Sequence, residues 1–268
     1  MNASPEGAEL QQERGAGMTA ATIGAIAVPG TRKLQALASP PALPDYLVRH
    51  YAWAYVWPPA VWFFDHQPII NAILFGQYRR IMDETMRLME PERTGRTLQI
   101  AAVYGELTPR LAQKIEDLHL IDVAQVQLRA ARRKLAAIGR RAHLAPMNCE
   151  SLTYSDGSFD TALIFLLLHE LPVEARRRTL REAVRILRPG GRLVIAEYGE
   201  FGPRHLLHRL TPFRWILETA EPFLGAFWRE DLVSVLQECA GEVGRTVELD
   251  EKRDIFGAFY RVLRFTVS

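Results

Sequence analysis

The chain has 268 residues, 48% of them apolar and 24% charged, which is enough to bury one sizeable core and add a helical extension. Its formal net charge of +2 is nearly balanced, and its arginines recur at helical intervals among apolar residues, so we expect no nucleic-acid partner. The only two cysteines, Cys149 and Cys239, form no CxxC pattern and predict neither a disulfide framework nor a zinc site.

Residues 1–40 are rich in alanine, glycine, proline and polar residues, and we expect them to form a disordered tail. The apolar stretch Met18–Val28 inside this tail is too short to span a bilayer and lacks a convincing charged segment before it. It therefore predicts neither a signal peptide nor a membrane anchor. An organellar presequence stays open, although Glu6, Glu9 and Glu13 count against one.

Residues 41–92 are predicted to form a helical, aromatic-rich lid. Its first part, Tyr46–Phe64, carries three tryptophans, and it either faces a membrane interface or packs on the core; the two interpretations are compatible. The apolar residues from Ile70 to Met89 have helix-like spacing and are expected to close over a cofactor cleft. Asp65 and His66 are candidates for a substrate contact or for a local turn contact.

Strands and helices are predicted to alternate from residue 93 onward. The apolar runs typical of strands are Leu98–Val103, His119–Asp122, Thr161–Leu168 and Arg192–Ala196. This alternation predicts an α/β domain over residues 93–268, with a mostly parallel sheet covered by helices on both faces.

The segment Leu98–Thr108, LQIAAVYGELT, lies where a nucleotide-binding glycine loop is expected, yet Gly105 is its single glycine. Asp122 ends the next predicted strand, near the spacing at which a βαβ unit places a carboxylate on a ribose hydroxyl. The alternative role for Asp122 is an N-cap of the helix that follows. The sequence thus predicts a cofactor fold with an altered loop.

Three segments resemble the class I S-adenosylmethionine-dependent methyltransferases, particularly their quinone-biosynthesis branch. They are LTYSDGSFDTAL at Leu152–Leu163, LHELP at Leu168–Pro172 and LREAVRILRPGGRLVIAE at Leu180–Glu197. The resemblance implies a Rossmann-like, mostly parallel seven-stranded sheet with a terminal antiparallel hairpin and an N-terminal helical lid.

The same resemblance implies where the last strands and turns lie. Val247–Leu249 and Ala258–Val267 correspond to the terminal hairpin, with Phe256–Gly257 in its turn region. Pro189 is expected to end the helix before it, and Gly190–Gly191 to turn the chain into the next strand.

The positions that bind the cofactor in this superfamily are partly changed. Its first motif places Gln99 at the usual acid, Val103 at the first glycine and Tyr104 between the glycines, and its acid motif becomes Asn148–Cys149. Since glycine lets the backbone approach a ligand closely, these changes are expected to reshape the site of the methionine half of the cofactor. The resemblance implies that the cofactor is bound by Tyr104, Gly105, Asp122, Val123, Asn148, Cys149 and Phe165.

The motif VYGEL and the segment Tyr51–Tyr78 are similar to the rhodoquinone-biosynthesis (RquA) branch of the superfamily. This resemblance implies conversion of ubiquinone to rhodoquinone, in which an amino group replaces a ring methoxy group. It further implies that S-adenosylmethionine supplies the nitrogen as co-substrate and that Mn²⁺ assists. The ligands of that metal stay unknown; Glu106 is a candidate, with a helix-dipole contact as the alternative.

Amination of a quinone requires loss of a proton from nitrogen and stabilisation of charge on the quinone oxygen. Tyr104 is the candidate that orients the amine, and His169 is the candidate base. The alternatives are that Tyr104 fills the space of the missing glycines and that His169 caps a tight turn.

Two other functions stay open: an S-adenosylmethionine-dependent methyltransferase acting on a quinone or another small molecule, and an inactive cofactor- or quinone-binding protein. The resemblance places Phe201–Glu218 above the cofactor, where it shapes the acceptor pocket. Its basic residues Arg204, His205, His208, Arg209 and Arg214 are alternatively suited to anionic headgroups. We therefore expect a cytoplasmic protein attached peripherally to the inner membrane. The sequence does not predict an oligomeric state.

Overall fold

The computed structural model describes residues 41–200, 202 and 205–268, apart from the side chains of Leu206, His208 and Phe213. All of these residues belong to one unit of the chain, Ser39–Ser268. The tail predicted at residues 1–40 and the basic residue Arg204 lie outside the described residues.

A seven-stranded sheet forms the centre of the molecule. Its strands are β1 (Thr97–Ile100), β2 (Leu118–Asp122), β3 (His143–Pro146), β4 (Phe159–Phe165), β5 (Leu187–Tyr198), β6 (Val247–Ile255) and β7 (Tyr260–Val267). Their spatial order is β3-β2-β1-β4-β5-β7-β6, in which β1 to β5 pair in parallel and β7 pairs antiparallel with both β5 and β6. The predicted α/β fold with a terminal antiparallel hairpin is confirmed.

Helices precede the sheet and connect its strands. They are α1 (Ala52–Tyr55), α2 (Pro58–Phe64), α3 (Gln67–Ile73), α4 (Tyr78–Met89), α5 (Leu107–Lys114), α6 (Gln125–Ala137), α7 (Val173–Arg185), α8 (Leu206–Arg209), α9 (Thr211–Ala220), α10 (Leu224–Phe227) and α11 (Leu232–Glu242). A π-helical turn, Leu47–Tyr51, begins the described chain, and 3₁₀ turns lie at Pro91–Arg93 and Leu168–Glu170. None of the helices in these ranges is both long and apolar enough to cross a bilayer.

The central strands are buried on both faces, as expected of parallel strands between helices. All four residues of β1 and all five of β2 are buried. Strand β3, by contrast, is exposed or half-buried along its length. It was not among the predicted strands, because an edge strand of four residues carries no apolar run.

The connection into β5 differs from the prediction. Helix α7 ends at Arg185, before Pro189, and β5 already begins at Leu187. The pairing of β5 with β4 shifts register at this point, and Gly190 has φ +76°, a conformation that favours glycine. A Cβ at Gly191 would lie 2.7 Å from a backbone oxygen. The glycines therefore turn the chain within β5. Helix α7 ends earlier, because its last turn closes before Pro189.

The hairpin lies close to its predicted place. Strand β6 begins at Val247 and is longer than predicted, ending at Ile255, and β7 begins at Tyr260. The turn between them includes Phe256, Gly257 and Ala258, all with positive φ. Ala258 therefore belongs to the turn rather than to the strand.

The residues from Ile70 to Met89 form two helices with different neighbours. In and just after α3, Ile70, Ile73 and Leu74 line a cavity beneath the N-terminal helices. Helix α4 instead packs against β5, β6 and β7, with Ile81 and Leu88 fully buried. Only the first half of this segment therefore covers the predicted cleft; the amphipathic pattern of the second half serves the main core.

Candidate functional site

A cavity of about 340 Å³ lies at the carboxyl ends of β1, β2 and β4, beneath the N-terminal helices. The strand order reverses between β1 and β4, and ligands of open parallel sheets bind at such a switch point. Of the predicted site residues, Tyr104, Asp122, Val123, Asn148, Cys149, Phe165 and His169 line the cavity. Gly105 is not among its lining residues.

Gln99 stabilises the loop after β1 through its side chain. It occupies the position that the resemblance assigns to an acid. Its amide donates to the Ala101 carbonyl over 3.1 Å, and its oxygen accepts from the Thr108 hydroxyl over 2.9 Å. Ala101 has φ +68°, a left-handed conformation that costs a non-glycine residue free energy. Gln99 thus stabilises a strained loop, which a carboxylate does not do in the same way because it has no N–H to donate.

Tyr104 fastens the same loop to the lid. Its hydroxyl donates to the Ala54 carbonyl over 2.6 Å, and Gln127 Nε2 lies 3.3 Å from it. Its ring stacks on Tyr55 with centroids 5.5 Å apart and an interplanar angle of 14°. The ring therefore faces the cavity while the hydroxyl is bonded to the lid backbone. The predicted role in orienting an amine stays a prediction, and the space-filling alternative is compatible with these contacts.

Gly105 is bonded to the lid rather than exposed to the cavity. Its N–H donates to Asp65 Oδ1 over 2.8 Å, and Lys134 Nζ bonds to the same oxygen over 2.6 Å and to the Gly105 carbonyl over 2.9 Å. The Tyr78 hydroxyl donates to the Tyr104 carbonyl and accepts from the Glu106 N–H. Asp65 therefore makes a long-range contact with the cofactor loop, which neither of its two predicted roles included.

Asp122 ends β2 and points both carboxylate oxygens at backbone N–H groups. Oδ2 accepts from Ala102 over 2.9 Å and Oδ1 from Ala124 over 2.7 Å. Burial raises the pKa of Asp122 to about 6, against the two hydrogen bonds, which lower it. The N-cap of α6 is Ala124, so Asp122 is not that cap. A carboxylate at this strand end is suited to accept a hydrogen bond from a ribose hydroxyl.

The positions after β3 also line the cavity. Asn148 Oδ1 accepts the Glu150 N–H over 2.9 Å, which leaves its amide N–H₂ group for a ligand. The Cys149 sulfur lies 3.4 Å from the Thr179 hydroxyl, and burial raises the pKa of this thiol to about 12. Cys149 is therefore a protonated, apolar wall residue at neutral pH rather than a nucleophile.

His169 lies in the 3₁₀ turn after β4 and is oriented by a buried acid. Its Nδ1 lies 2.6 Å from Glu197 Oε1, and Glu197 Oε2 also accepts the Leu168 N–H over 2.8 Å. Burial lowers the pKa of His169, but the neighbouring Glu197 outweighs it and raises the pKa to about 9. With Nδ1 facing Glu197, the other ring nitrogen, Nε2, faces Glu170.

Two further acids complete this wall of the cavity. The Tyr55 hydroxyl donates to Glu170, and the Tyr51 hydroxyl donates to Glu221 Oε2 over 3.0 Å. Burial, together with the neighbouring Glu221, raises the pKa of Glu170 to about 8, and burial also raises that of Glu221. Sequence reasoning missed both acids and Glu197. Glu170 follows His169 directly, and Glu197 lies near the end of a strand beside β4, so the sequence could have predicted both at this edge of the sheet. No feature of the sequence predicts Glu221 there.

Within the described ranges, two groups of side chains have metal-ligand geometry. His169, Glu170 and Glu221 lie in the cavity, with ligand atoms within 4.8 Å of one another. Their nitrogen and oxygen donors fit Mn²⁺, the metal that the resemblance implies. Asp117, His119 and His143 form the second group at the opposite end of β2 and β3. Glu106, the sequence candidate, belongs to neither group.

Five aromatic residues of the N-terminal segment and α9 are exposed; we call Trp53, Trp57, Trp62, Phe63 and Trp215 the aromatic rim. Their four indole residues are between 59% and 67% exposed. Trp53 both lines the cavity and reaches solvent. Tyr51, in the π-helical turn, and Val61, in α2, are buried, so the segment packs on the core and presents aromatic rings outward.

The fold and part of the sequence match known methyltransferases. Residues 97–191 match the family described as "Methyltransferase domain". A S-adenosylmethionine-dependent methyltransferase from Methanosarcina mazei has a TM-score of 0.52 and 20% identity, covering 67% of this chain and 96% of that one. The [4+2]-cyclase SpnF has a TM-score of 0.55 and 19% identity, covering 70% and 80%. The chain thus has the class I methyltransferase fold, which also occurs in a protein named for another reaction.

Two curated relatives carry names from quinone biosynthesis. The chain is 29% identical over 143 residues to the ubiquinone/menaquinone biosynthesis C-methyltransferase UbiE of Pseudoalteromonas translucida, covering 51% of this chain and 55% of the relative. It is 32% identical over 138 residues to UbiE of Enterobacter sp. (strain 638), covering 49% and 54%. The chain therefore spans about half the length of the curated relatives it matches.

Proposed function

We propose that this chain uses S-adenosylmethionine to modify a quinone, and that the modification replaces a ring methoxy group of ubiquinone by an amino group to give rhodoquinone. The observation that carries the proposal is the difference between two residues of the cavity wall. Asp122, the predicted partner of the ribose, lines the cavity at the end of β2. Tyr104 lines it in the loop that the resemblance assigns to the methionine half of the cofactor.

The proposed co-substrate binds along the carboxyl ends of β1 and β2. Asp122 accepts from a ribose hydroxyl, and Val123 and Phe165 supply apolar walls for the adenosyl group. Because the Gly105 N–H is already bonded to Asp65, it is less available to the amino-acid half than in a glycine-rich loop. That half is therefore held differently from the arrangement suited to methyl transfer, which depends mostly on aligning the sulfonium methyl with a nucleophile.

Amination needs groups that move protons, which the other wall of the cavity provides. The amine nitrogen adds to the ring carbon that bears the methoxy group, a proton leaves nitrogen, and the methoxy group departs as methanol. His169 is the sequence-based candidate for the proton acceptor. Its raised pKa of about 9 means that the neutral, accepting form of the imidazole dominates only above that pH, and Glu170 lies beside it. Tyr104 is the candidate that orients the amine. The bond between nitrogen and Cα must then break, since the product carries a free amino group. An elimination balances this step: a base removes a proton from Cβ, a double bond forms between Cα and Cβ, and nitrogen keeps the electron pair of the broken bond and takes up a proton.

The deciding experiment uses S-adenosylmethionine labelled with ¹⁵N at the amino group and ¹³C at Cα. The purified chain is incubated with ubiquinone and Mn²⁺, and the quinone is examined by mass spectrometry. A product that contains ¹⁵N, lacks ¹³C and has lost one methoxy group is the expected result. A quinone without nitrogen label would contradict amination.

A second function, methyl transfer to a quinone or other small acceptor, is favoured by the match to the methyltransferase domain over residues 97–191. The same incubation distinguishes it, because it yields a methylated acceptor and S-adenosylhomocysteine. If the cofactor binds without any new quinone, the chain is an inactive cofactor- or quinone-binding protein instead.

We also propose that the aromatic rim rests on a membrane surface. A long-tailed quinone dissolves in the bilayer, and indole rings favour the interface because they join an apolar body to a polar N–H. Exposed tryptophans on α1 and α2 and on α9 give the rim several contacts. Co-sedimentation with anionic liposomes is the expected result, and no binding even at low salt would contradict the proposal.

A further inference from the structure

We propose that His169, Glu170 and Glu221 bind one divalent cation on the wall of the cavity. The use of this ion in quinone amination rests on the proposed function, whereas the site itself rests on the contacts of these three side chains.

The three ligands come from two separate parts of the chain. His169 and Glu170 lie in the turn after β4, and Glu221 lies directly after α9. Their ligand atoms are within 4.8 Å of one another. A divalent ion with bonds of about 2.1 to 2.4 Å joins oxygen or nitrogen atoms separated by up to about 4.8 Å, so each pair of these ligand atoms lies within the span of one ion.

The imidazole is arranged as a metal-binding histidine usually is. Its Nδ1 faces Glu197 over 2.6 Å, and an acid on one ring nitrogen commonly orients the other toward a metal. The side chain is 5% exposed, and the nearest charged partner of Nε2 is Glu170 Oε1 at 3.9 Å, beyond hydrogen-bond distance. A buried nitrogen therefore faces a carboxyl oxygen across a gap that an ion fills.

The two acids have no lysine or arginine partner among the described residues. Within the described part of the chain, Glu170 forms an ion pair only with His169 and Glu221 forms none, while Tyr55 and Tyr51 supply neutral hydroxyl donors. A single imidazole, which also faces Glu197, does not balance both carboxylates, and each hydroxyl uses only part of the accepting capacity of its carboxyl group. A divalent cation neutralises both acids and uses that remaining capacity.

An ion and a proton compete for the same lone pair of Nε2. In the ion-bound state His169 is therefore a ligand, and this assignment replaces its predicted role as base. An ion held by these three side chains would supply Lewis-acid stabilisation of negative charge on an acceptor's oxygen.

The second group, Asp117, His119 and His143, is less suited to an ion and serves as an internal control. Arg96 Nε lies 3.2 Å from His119 Nε2, and Asp117 Oδ1 lies 2.9 Å from the same nitrogen. A guanidinium thus already occupies the place where a cation would approach.

The test measures Mn²⁺ binding by the full chain without quinone or S-adenosylmethionine. Loss of the free Mn²⁺ electron paramagnetic resonance signal gives affinity and stoichiometry, and we expect one site. Glu170→Gln and Glu221→Gln, which keep an oxygen acceptor for the tyrosines, should each weaken binding about tenfold or more. His143→Ala should leave binding unchanged. Circular dichroism and thermal unfolding check that each variant is folded.

Electron spin echo modulation on the unmutated chain is the second measurement, because it needs no folded variant. Coupling of the ion to an imidazole nitrogen is expected, and its loss in His169→Gln but not in His143→Ala supports the assignment. Absence of that coupling, unchanged affinity in both glutamine variants, or loss of binding in His143→Ala would overturn it. Binding without labelled aminoquinone contradicts the proposed function alone, whereas aminoquinone formation without binding contradicts this site alone.

Discussion

Asp122 gives the sharpest test of how the site is built, because its burial changes stability in a direction that depends on pH. Burial raises its pKa from 3.8 to about 6, so the folded protein disfavours the carboxylate. A shift of roughly two units corresponds to about 3 kcal/mol. This cost is absent below pH 3.8, grows as pH rises, and is complete above about pH 6.

Asp122→Asn removes the charge and therefore this pH-dependent cost. The asparagine oxygen still accepts one backbone N–H, but its amide group faces the other, which costs about 1 to 3 kcal/mol at all pH values. Relative to the variant, the unmutated chain should lose about 1 kcal/mol of stability between pH 5 and pH 7. Urea unfolding of both proteins at several pH values measures the difference, and a difference independent of pH would refute the reasoning.

The same substitution tests cofactor binding separately. A carboxylate accepts a ribose hydroxyl more strongly than an amide does, so S-adenosylmethionine affinity should fall about tenfold or more at pH 7.5. The affinity of the unmutated chain should rise as pH increases through about 6, where Asp122 ionises, whereas that of the variant should not. Isothermal titration calorimetry gives both values. Equal affinities of the two proteins would remove Asp122 from the proposed ribose site.

Three further substitutions test the loop and the rim. Tyr104→Phe removes the bond to the Ala54 carbonyl and should lower stability by about 1 kcal/mol and slow amination; unchanged turnover of the folded variant would leave Tyr104 a packing role only. Gly105→Ala should destabilise more than Gly139→Ala in urea unfolding, since both have positive φ but only at Gly105 would a Cβ lie 2.4 Å from a side-chain atom. Trp57→Ala should weaken liposome co-sedimentation while Ile138→Ala, another exposed apolar residue, should not.

The sheet was largely predictable because its central strands are continuous apolar runs. Leu118–Asp122 and Phe159–Phe165 are almost wholly buried, and burial on both faces leaves a strong sequence signal. The edge strand His143–Pro146 left none, since half-exposed positions tolerate polar residues. The end of α7 was misplaced because a proline marks where a helix cannot continue, whereas the helix ended at Arg185, before that limit.

The candidate site was predictable only where it follows the strands. Asp122 and Cys149 lie in the cavity because residues after parallel strands meet at one edge of the sheet. The partners that the lid supplies were not predictable. Asp65 contacts Lys134, which lies 69 positions later in the sequence, and Tyr51 contacts Glu221, 170 positions later. No local sequence pattern predicts contacts over such separations.

Contacts of this kind also explain how the loop after β1 keeps its conformation with a single glycine. A glycine-rich loop leaves its backbone N–H groups for a ligand, whereas here the Gly105 N–H is bonded to Asp65 and the Glu106 N–H to Tyr78. The Tyr104 hydroxyl adds a third bond, to α1. The lid therefore cannot leave the cavity without exposing the groups that hold the cofactor loop. Because Asp65 and the Ala54 carbonyl join the lid to this loop, we expect opening of the lid to disturb the loop as well, whereas Tyr78 holds the loop to α4 on the main core.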